Sequence, residues 1–174
     1  MTDVKRQRIG AALGSILFLL VAPATVAGLV PWWMTRWAMR PPLLGSPLFQ
    51  VVGGVLILSG GAVVLESFAR FALHGLGTPA PIYPTRRLVV SGFYRHVRNP
   101  MYVGVVSIVF GEALLLGDLR LMAYGAVVWL AMHLFVLAYE EPTLRKSFGV
   151  EYDLYAAHVH RWLPRLRGWR QEAS

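Results

Sequence analysis

The sequence predicts an all-α integral membrane protein, a helical bundle of about four transmembrane helices. Three observations lead there. Hydrophobic residues make up 56% of the 174-residue chain and charged residues only 15%, against about 25% charged in an ordinary soluble domain. Four apolar runs approach the roughly 20 residues that cross a bilayer. The basic residues are distributed unevenly between the segments that flank those runs.

The first run, Ile9 to Trp33, follows Lys5, Arg6 and Arg8. Pro23 predicts a kink in it. A basic start and the string ATVA also fit a cleavable secretory signal, but the apolar character continues to Trp32 and Trp33, a pair suited to a membrane interface. The second run extends from Pro47 to Leu73. The third, Met101 to Gly117, is short, and Pro100 is placed to start it. The fourth is Leu121 to Tyr139. Asp118, Leu119 and Arg120 alone separate the last two, which therefore read as a tight helical hairpin. The chain divides into residues 1–80, holding two spans, and 81–174, holding a loop, the hairpin and a tail, within one domain of 174 residues.

With four spans, both termini and the loop from His74 to Asn99 share one side. That side holds fourteen of the 17 Lys and Arg residues; Arg36, Arg40 and Arg120 fall on the other. The positive-inside rule makes the richer side cytoplasmic. The net charge of +8 then meets anionic lipid, and nucleic acid is not the expected partner. The chain has no cysteine, which excludes disulfides, thiolate metal sites and a cysteine nucleophile. No metal site is expected.

Polar chemistry concentrates on the predicted cytoplasmic face. The loop carries Pro79, Pro81, Pro84 and Pro100 with Gly75, Gly77 and Gly92, a composition that fixes a non-helical path. Such backbone beside a membrane must be covered by protein or line a polar cavity. In the tail, Glu140 and Glu141 follow the fourth span directly. Two adjacent carboxylates at a hydrocarbon boundary need a cation, either a nearby arginine or a positively charged ligand. Pro142 fits the first turn of a helix and Phe148–Gly149 its end. Tyr152, Tyr155, Ala156 and Val159 then recur on one helical face, as in an amphipathic helix lying on a membrane.

The strip LVVSGFYRHVRNPMYVG and the strip EEPTLRKSFGVEYDLYAAHVHRWLPRL resemble two motifs of the isoprenylcysteine carboxyl methyltransferase family, in the family's order and around a helical hairpin. The likeness runs from about Arg86 to Pro164, and a looser one extends to phospholipid methyltransferases and to sterol reductases. It implies a membrane enzyme that binds S-adenosylmethionine in a pocket formed by the cytoplasmic loop and C-terminal amphipathic helices. The absence of a glycine-rich strand-turn-helix signature agrees with a cofactor site outside a Rossmann domain. Carried over by position, the cofactor contacts are Arg87, Leu88, Val89, Tyr94, Asn99, Pro100, Met101, Tyr102 and Glu140. A carboxylate and aromatic faces suit a ligand that carries a sulfonium and an ammonium.

Two positions depart from the family pattern. Asn99 stands where the family has histidine, and Val136 where it has an arginine that faces the substrate carboxylate. The implied reaction is methyl transfer from S-adenosylmethionine to a lipophilic acceptor, a lipid or hydrophobic small molecule, at the cytoplasmic side. His133, seven residues before Glu140 and so on the same helical face, is the candidate base; Arg161 is a candidate contact for an anionic substrate group or a lipid headgroup. Glu66 and Glu112 are further ionisable groups inside predicted spans. Competing readings are an NADPH-dependent lipid reductase, which would need more phosphate-binding cations, and a non-catalytic membrane anchor.

Overall fold

The computed structural model describes residues 21–74 and 88–169, with the side chains of 71–74 left out. Arg87, Pro79, Pro81, Pro84 and the first half of the first apolar run lie outside the described residues. Those described are mostly helical and contain no strand. They form α1 (Val30–Thr35), α2 (Leu48–His74), α3 (Pro100–Leu116), α4 (Leu119–Phe135), α5 (Glu141–Phe148) and α6 (Val150–His158). Two stretches, Leu48–Arg70 and Leu119–Phe148, are long and apolar enough to cross a membrane. The 17 residues of α3 span about 25 Å, short of the roughly 30 Å hydrocarbon core. The chain separates into two compact units.

One unit combines residues 21–64 with 101–134. Here α2 and α3 meet through reciprocal glycine pairs. A Cβ on Gly53 would lie 2.5 Å from the Gly111 carbonyl, and one on Gly111 would lie 2.7 Å from that of Gly53. Gly60 and Gly104 repeat the arrangement at 2.6 and 2.8 Å. The pairs are seven residues apart on each helix, two turns, so both fall on one stripe. Small residues let backbones approach where lipid supplies no hydrophobic drive to associate. Gly104 is thus approached closely by helix backbone.

The hairpin between α3 and α4 is tighter than its sequence suggested, with only Gly117 and Asp118 outside the helices. Gly117 has φ 68°, and a Cβ there would strike the Pro41 carbonyl. Asp118, 1% exposed, accepts from the Arg120 backbone N–H at 3.0 Å and pairs with the guanidinium groups of Arg120 at 2.7 Å and Arg40 at 3.4 Å. Hydrogen bonding from Arg120 holds its carboxyl below the usual carboxylate range. Arg36 lies over the Trp32 ring at 4.3 Å, a cation–π contact. The three basic residues assigned to the poorer side are therefore all engaged by neighbours.

A π-turn, Thr25–Leu29, precedes α1. The Val30 N–H reaches back five residues to the Thr25 carbonyl, and Pro31 follows with no N–H to give. The Val26 carbonyl thereby loses both donors that an α- or π-turn would offer. The Tyr124 hydroxyl donates to it instead, at 2.9 Å. Within the described part of the first run the distortion is set by Pro31; the carbonyl four residues before Pro23, where its kink is expected, lies outside the described residues.

The other unit combines 65–74, 88–100 and 135–169. Its core is Tyr152, Tyr155 and Val159, packed by Leu88, Val90, Leu144, Phe148, Ala156 and Trp169. The tyrosine face of α6 is thus buried in protein and does not lie on a membrane surface. Gly149, φ 50°, ends α5 as its sequence predicts. The fourth span differs from expectation at its end. It does not stop at Tyr139 but continues through a second π-turn, Val136–Glu140, into α5. The Glu141 N–H bonds the Val136 carbonyl, again immediately before a proline, Pro142.

Candidate functional site

The segment 88–100 is short, irregular and held from several sides. Gly92, at φ 57°, turns it, and a Cβ there would collide with Glu66 Oε1. Glu66 itself pairs with Arg70 at 2.7 Å, one turn along α2, while its Oε2 and the hydroxyl of fully buried Ser67 have no hydrogen-bond partner among the described residues. A single 3-10 turn, Gly92–Arg95, then leads towards Pro100, which begins α3.

Arg95 to Asn99 form a strap against the tail. The Arg98 N–H donates to the His160 carbonyl at 2.9 Å, that of Arg165 to the His96 carbonyl at 2.9 Å, and that of Trp169 to the Arg95 carbonyl at 2.9 Å. Side chains continue the ladder. Arg95 Nε donates to the Trp169 carbonyl at 2.9 Å, the His96 ring bonds the Arg165 carbonyl at 2.8 Å, and Asn99 Nδ2 donates to the Arg161 carbonyl at 3.2 Å. Gly168 lies against His96, where a Cβ would come within 3.0 Å of Nε2. The crowd of basic and imidazole groups before α3 is, in this structure, a docking edge for the tail.

Behind the strap sits an ion cluster. Glu141, 6% exposed, accepts from Arg161 Nε at 2.5 Å and Nη2 at 3.0 Å. Arg98, whose side chain is 11% exposed, pairs with the same carboxylate at 3.3 Å and donates to the Tyr152 hydroxyl at 3.2 Å. Glu141 holds the Arg161 guanidinium above its ordinary pKa, and burial raises that of the Tyr152 phenol. The Tyr155 hydroxyl, also raised by burial, donates to the Tyr94 carbonyl at 2.6 Å. The cation expected beside the paired glutamates is therefore present, as two arginines held by Glu141.

Of the expected site residues, this unit holds Leu88, Val89, Tyr94, Asn99, Pro100, Glu140 and Arg161. Leu88 packs on the tyrosine core, and Val89, Tyr94 and Pro100 are buried. Glu140 is half-buried in the π-turn. Arg161 faces Glu141, an assignment that sequence reasoning did not make. Met101, Tyr102 and His133 belong to the other unit. Met101 is buried, Tyr102 is half-buried, and the His133 ring stacks on Trp129 at 5.2 Å. Sequence reasoning missed Glu141, Arg98 and Tyr152 as one cluster. The adjacent glutamates and the tyrosine periodicity were its visible signs, but the partner assignment needs the fold. Val136 is 1% exposed, so the position that bears an arginine in the family is a closed apolar one here. Among the described residues no group of acids and histidines is arranged to hold a metal ion.

Comparison with known proteins adds the following. The model of the phospholipid methyltransferase family matches residues 48–151. Two proteins of Oryza sativa, from subspecies indica and japonica, each named probable protein-S-isoprenylcysteine O-methyltransferase, are 37% identical over 79 residues, 45% of this chain and 41% of theirs. Protein-S-isoprenylcysteine O-methyltransferase B of Arabidopsis thaliana is 26% identical over 136 residues, 76% of this chain and 60% of its own. The chain thus spans less than two thirds of the length of these plant relatives. No solved structure matches it. The family match runs from the start of α2 to the first turn of α6 and takes in the π-turn, Arg98 and Glu141, but ends before Tyr152 and Arg161. The expected resemblance is borne out, and the chain belongs to the phospholipid methyltransferase family, with the sequence pattern it shares with isoprenylcysteine O-methyltransferases.

Proposed function

We propose that the protein transfers a methyl group from S-adenosylmethionine to a lipophilic acceptor at the cytoplasmic side of a membrane. One observation carries the reading. Residues 88–100 of the first motif strip and the second strip, far apart in sequence, fold into one unit in which the Arg95–Asn99 strap is bonded to the tail and Arg98 meets Glu141. The donor chemistry fits the cofactor. Arg98 and Arg161 are committed to Glu141, and Glu140 adjoins them as a second carboxylate suited to a cationic ligand.

When bound, S-adenosylmethionine supplies an electrophilic methyl on a sulfonium. The chain's part is to hold, orient and shield. Leu88 and Val89 offer apolar wall and irregular backbone for an adenine ring, Tyr94, Asn99 and Pro100 shape the turn, and Glu140 meets positive charge. Arg87, Met101 and Tyr102 keep the cofactor contacts that the resemblance implies. Arg161, bonded to Glu141, acts as a positioning residue. His133 takes the proton from an amine or thiol acceptor. Alignment of donor and acceptor is the larger part of such catalysis. The closed valine at 136 disfavours an acceptor carboxylate, which would be unpaired there, so the acceptor is a neutral or amine-bearing lipophile.

The test is calorimetric binding of S-adenosylmethionine to the detergent-purified chain, with transfer of labelled methyl to lipid extracts and to a farnesylcysteine analogue. Glu140→Ala weakens cofactor binding at least tenfold, about 1.4 kcal/mol, without a change in unfolding temperature. Binding of NADPH in place of S-adenosylmethionine would remove the proposal, and turnover confined to the farnesylcysteine analogue would remove the acceptor class.

A further inference from the structure

The tail after α6 turns apolar side chains outward in a basic setting. Leu163 is 73% exposed and Leu166 100%. Single exposed leucines are ordinary on a protein surface, but these two are not scattered. They lie within residues 159–169, which form no helix. Arg165 and Arg167 alternate with them, and no acidic residue occurs between Tyr155 and Trp169.

The segment is pinned at both ends, so the leucines are presented by a fixed backbone. Val159 and Trp169 pack with the tyrosine core. Between them the Arg165 N–H donates to the His96 carbonyl at 2.9 Å, and the Arg165 guanidinium to the carbonyl of His158. The same bonds set the level of the tail. Trp169 is tied to Arg95, Arg165 to His96 and Arg161 to Asn99, and this strap runs directly into Pro100, the first residue of α3. In the proposed topology the third span enters the bilayer there, from the cytoplasmic side. That leaflet carries anionic lipid. Arginines at phosphates, with apolar side chains between them in the acyl boundary, are how a segment lies in such an interface. Val150, 83% exposed, is a contrast, for Glu151 and Asp153 beside it are repelled by an anionic surface.

We infer that residues 163–167 are a contact surface for anionic phospholipid, with Leu163 and Leu166 in the acyl boundary and Arg165 and Arg167 at the phosphates. The membrane contact that the tyrosine stripe of α6 suggested falls to the segment after it. This rests on the membrane placement in the proposed function and not on its cofactor chemistry.

The cysteine-free chain allows a direct test. The full protein carries one fluorescent probe, at Leu166→Cys or, as control, at exposed Glu151→Cys, in nanodiscs of phosphatidylcholine with or without phosphatidylglycerol. A lipid with a nitroxide near its headgroup reads membrane contact, and aqueous iodide reads exposure. The Leu166 probe is expected to be quenched by the nitroxide lipid and shielded from iodide, more so with phosphatidylglycerol, and the Glu151 probe to be quenched by iodide alone. Arg167→Gln should shift the Leu166 probe about fivefold towards iodide in the anionic discs, the effect of one arginine near such a surface. Leu163→Ser should shift it in both compositions. Neither substitution touches a buried group, so unfolding temperatures in detergent stay unchanged. Equal iodide quenching at both positions overturns the inference, as does lipid quenching indifferent to phosphatidylglycerol. Shielding of Leu166 from both quenchers also overturns it, in favour of a second protein chain. S-adenosylmethionine binding measured in the same discs reports separately on the function proposed above.

Discussion

Glu141 carries two guanidinium groups on one carboxylate in a place that is 6% exposed. Its neighbour Glu140 occupies the adjacent helical position, and the proposed function gives it a different task. Substitution separates them. Glu141→Gln leaves Arg98 charged and largely buried, and breaking a buried pair this way costs about 3–5 kcal/mol. A clear fall in unfolding temperature in detergent is expected, partly recovered in the Glu141→Gln/Arg98→Met double variant; full stability of the single variant would count against the cluster as a structural element. Asp118 gives a pH dependence of definite sign. Arg120 holds its carboxyl below the usual range, so its folded pKa is lower than its unfolded one, about 3.9. Its contribution is whole above that unfolded value and is lost as pH falls through the folded one. Thermal scans should therefore show an acid-limb loss below about pH 4 that is reduced in Asp118→Asn, itself about 1–3 kcal/mol less stable at neutral pH.

At the scale of elements, the glycines of α2 divide into two kinds. Gly53 and Gly60 face backbone at 2.5–2.6 Å, whereas a Cβ on Gly54 or Gly61 meets nothing within 4 Å. Gly60→Val should separate α2 from α3 and destabilise by about 1–3 kcal/mol or more, while Gly61→Val leaves the unfolding midpoint in place. Equal effects of the two substitutions would contradict the packing. This contrast also marks what sequence can tell. Pro100, Gly149 and the hairpin at Asp118 were legible because each acts on its own few residues, through a fixed φ, a left-handed turn or a short loop. The tyrosine stripe of α6 was legible as a stripe, but what covers it was not. Which glycines of GG in α2 touch α3 depends on the register of another helix. The π-turns depend on how a carbonyl finds a donor, as Val26 does in Tyr124, and the docking of 95–99 on the tail joins segments about which local patterning says nothing.

For the whole molecule, the proposed topology has four spans with both termini and the strap cytoplasmic. It predicts that single cysteines introduced at Thr85 or Ser147 are shielded from an impermeant thiol reagent applied to intact cells, and that one at Ala38 is labelled. The cysteine-free chain gives this assay no background. Labelling at Ser147 from outside would invert the orientation and move Glu140 to the opposite face.

The strap has a bearing on biosynthesis. Tyr152, Tyr155 and Val159, and the carbonyls of His160, Arg161, Arg165 and Trp169 that receive the strap, are translated after the strap and after the apolar helices. The spans can be threaded into the bilayer while residues 88–100 still wait for their counterpart. For that interval Arg98 has no Glu141, and Leu88 and Val90 have no core to cover them. In the proposed topology, insertion of the spans and docking of the strap are thus separate events in time, the second later and set by a long-range contact. Nascent chains stalled before Gly149 should be inserted yet protease-sensitive at the strap, and become resistant there once the tail has emerged.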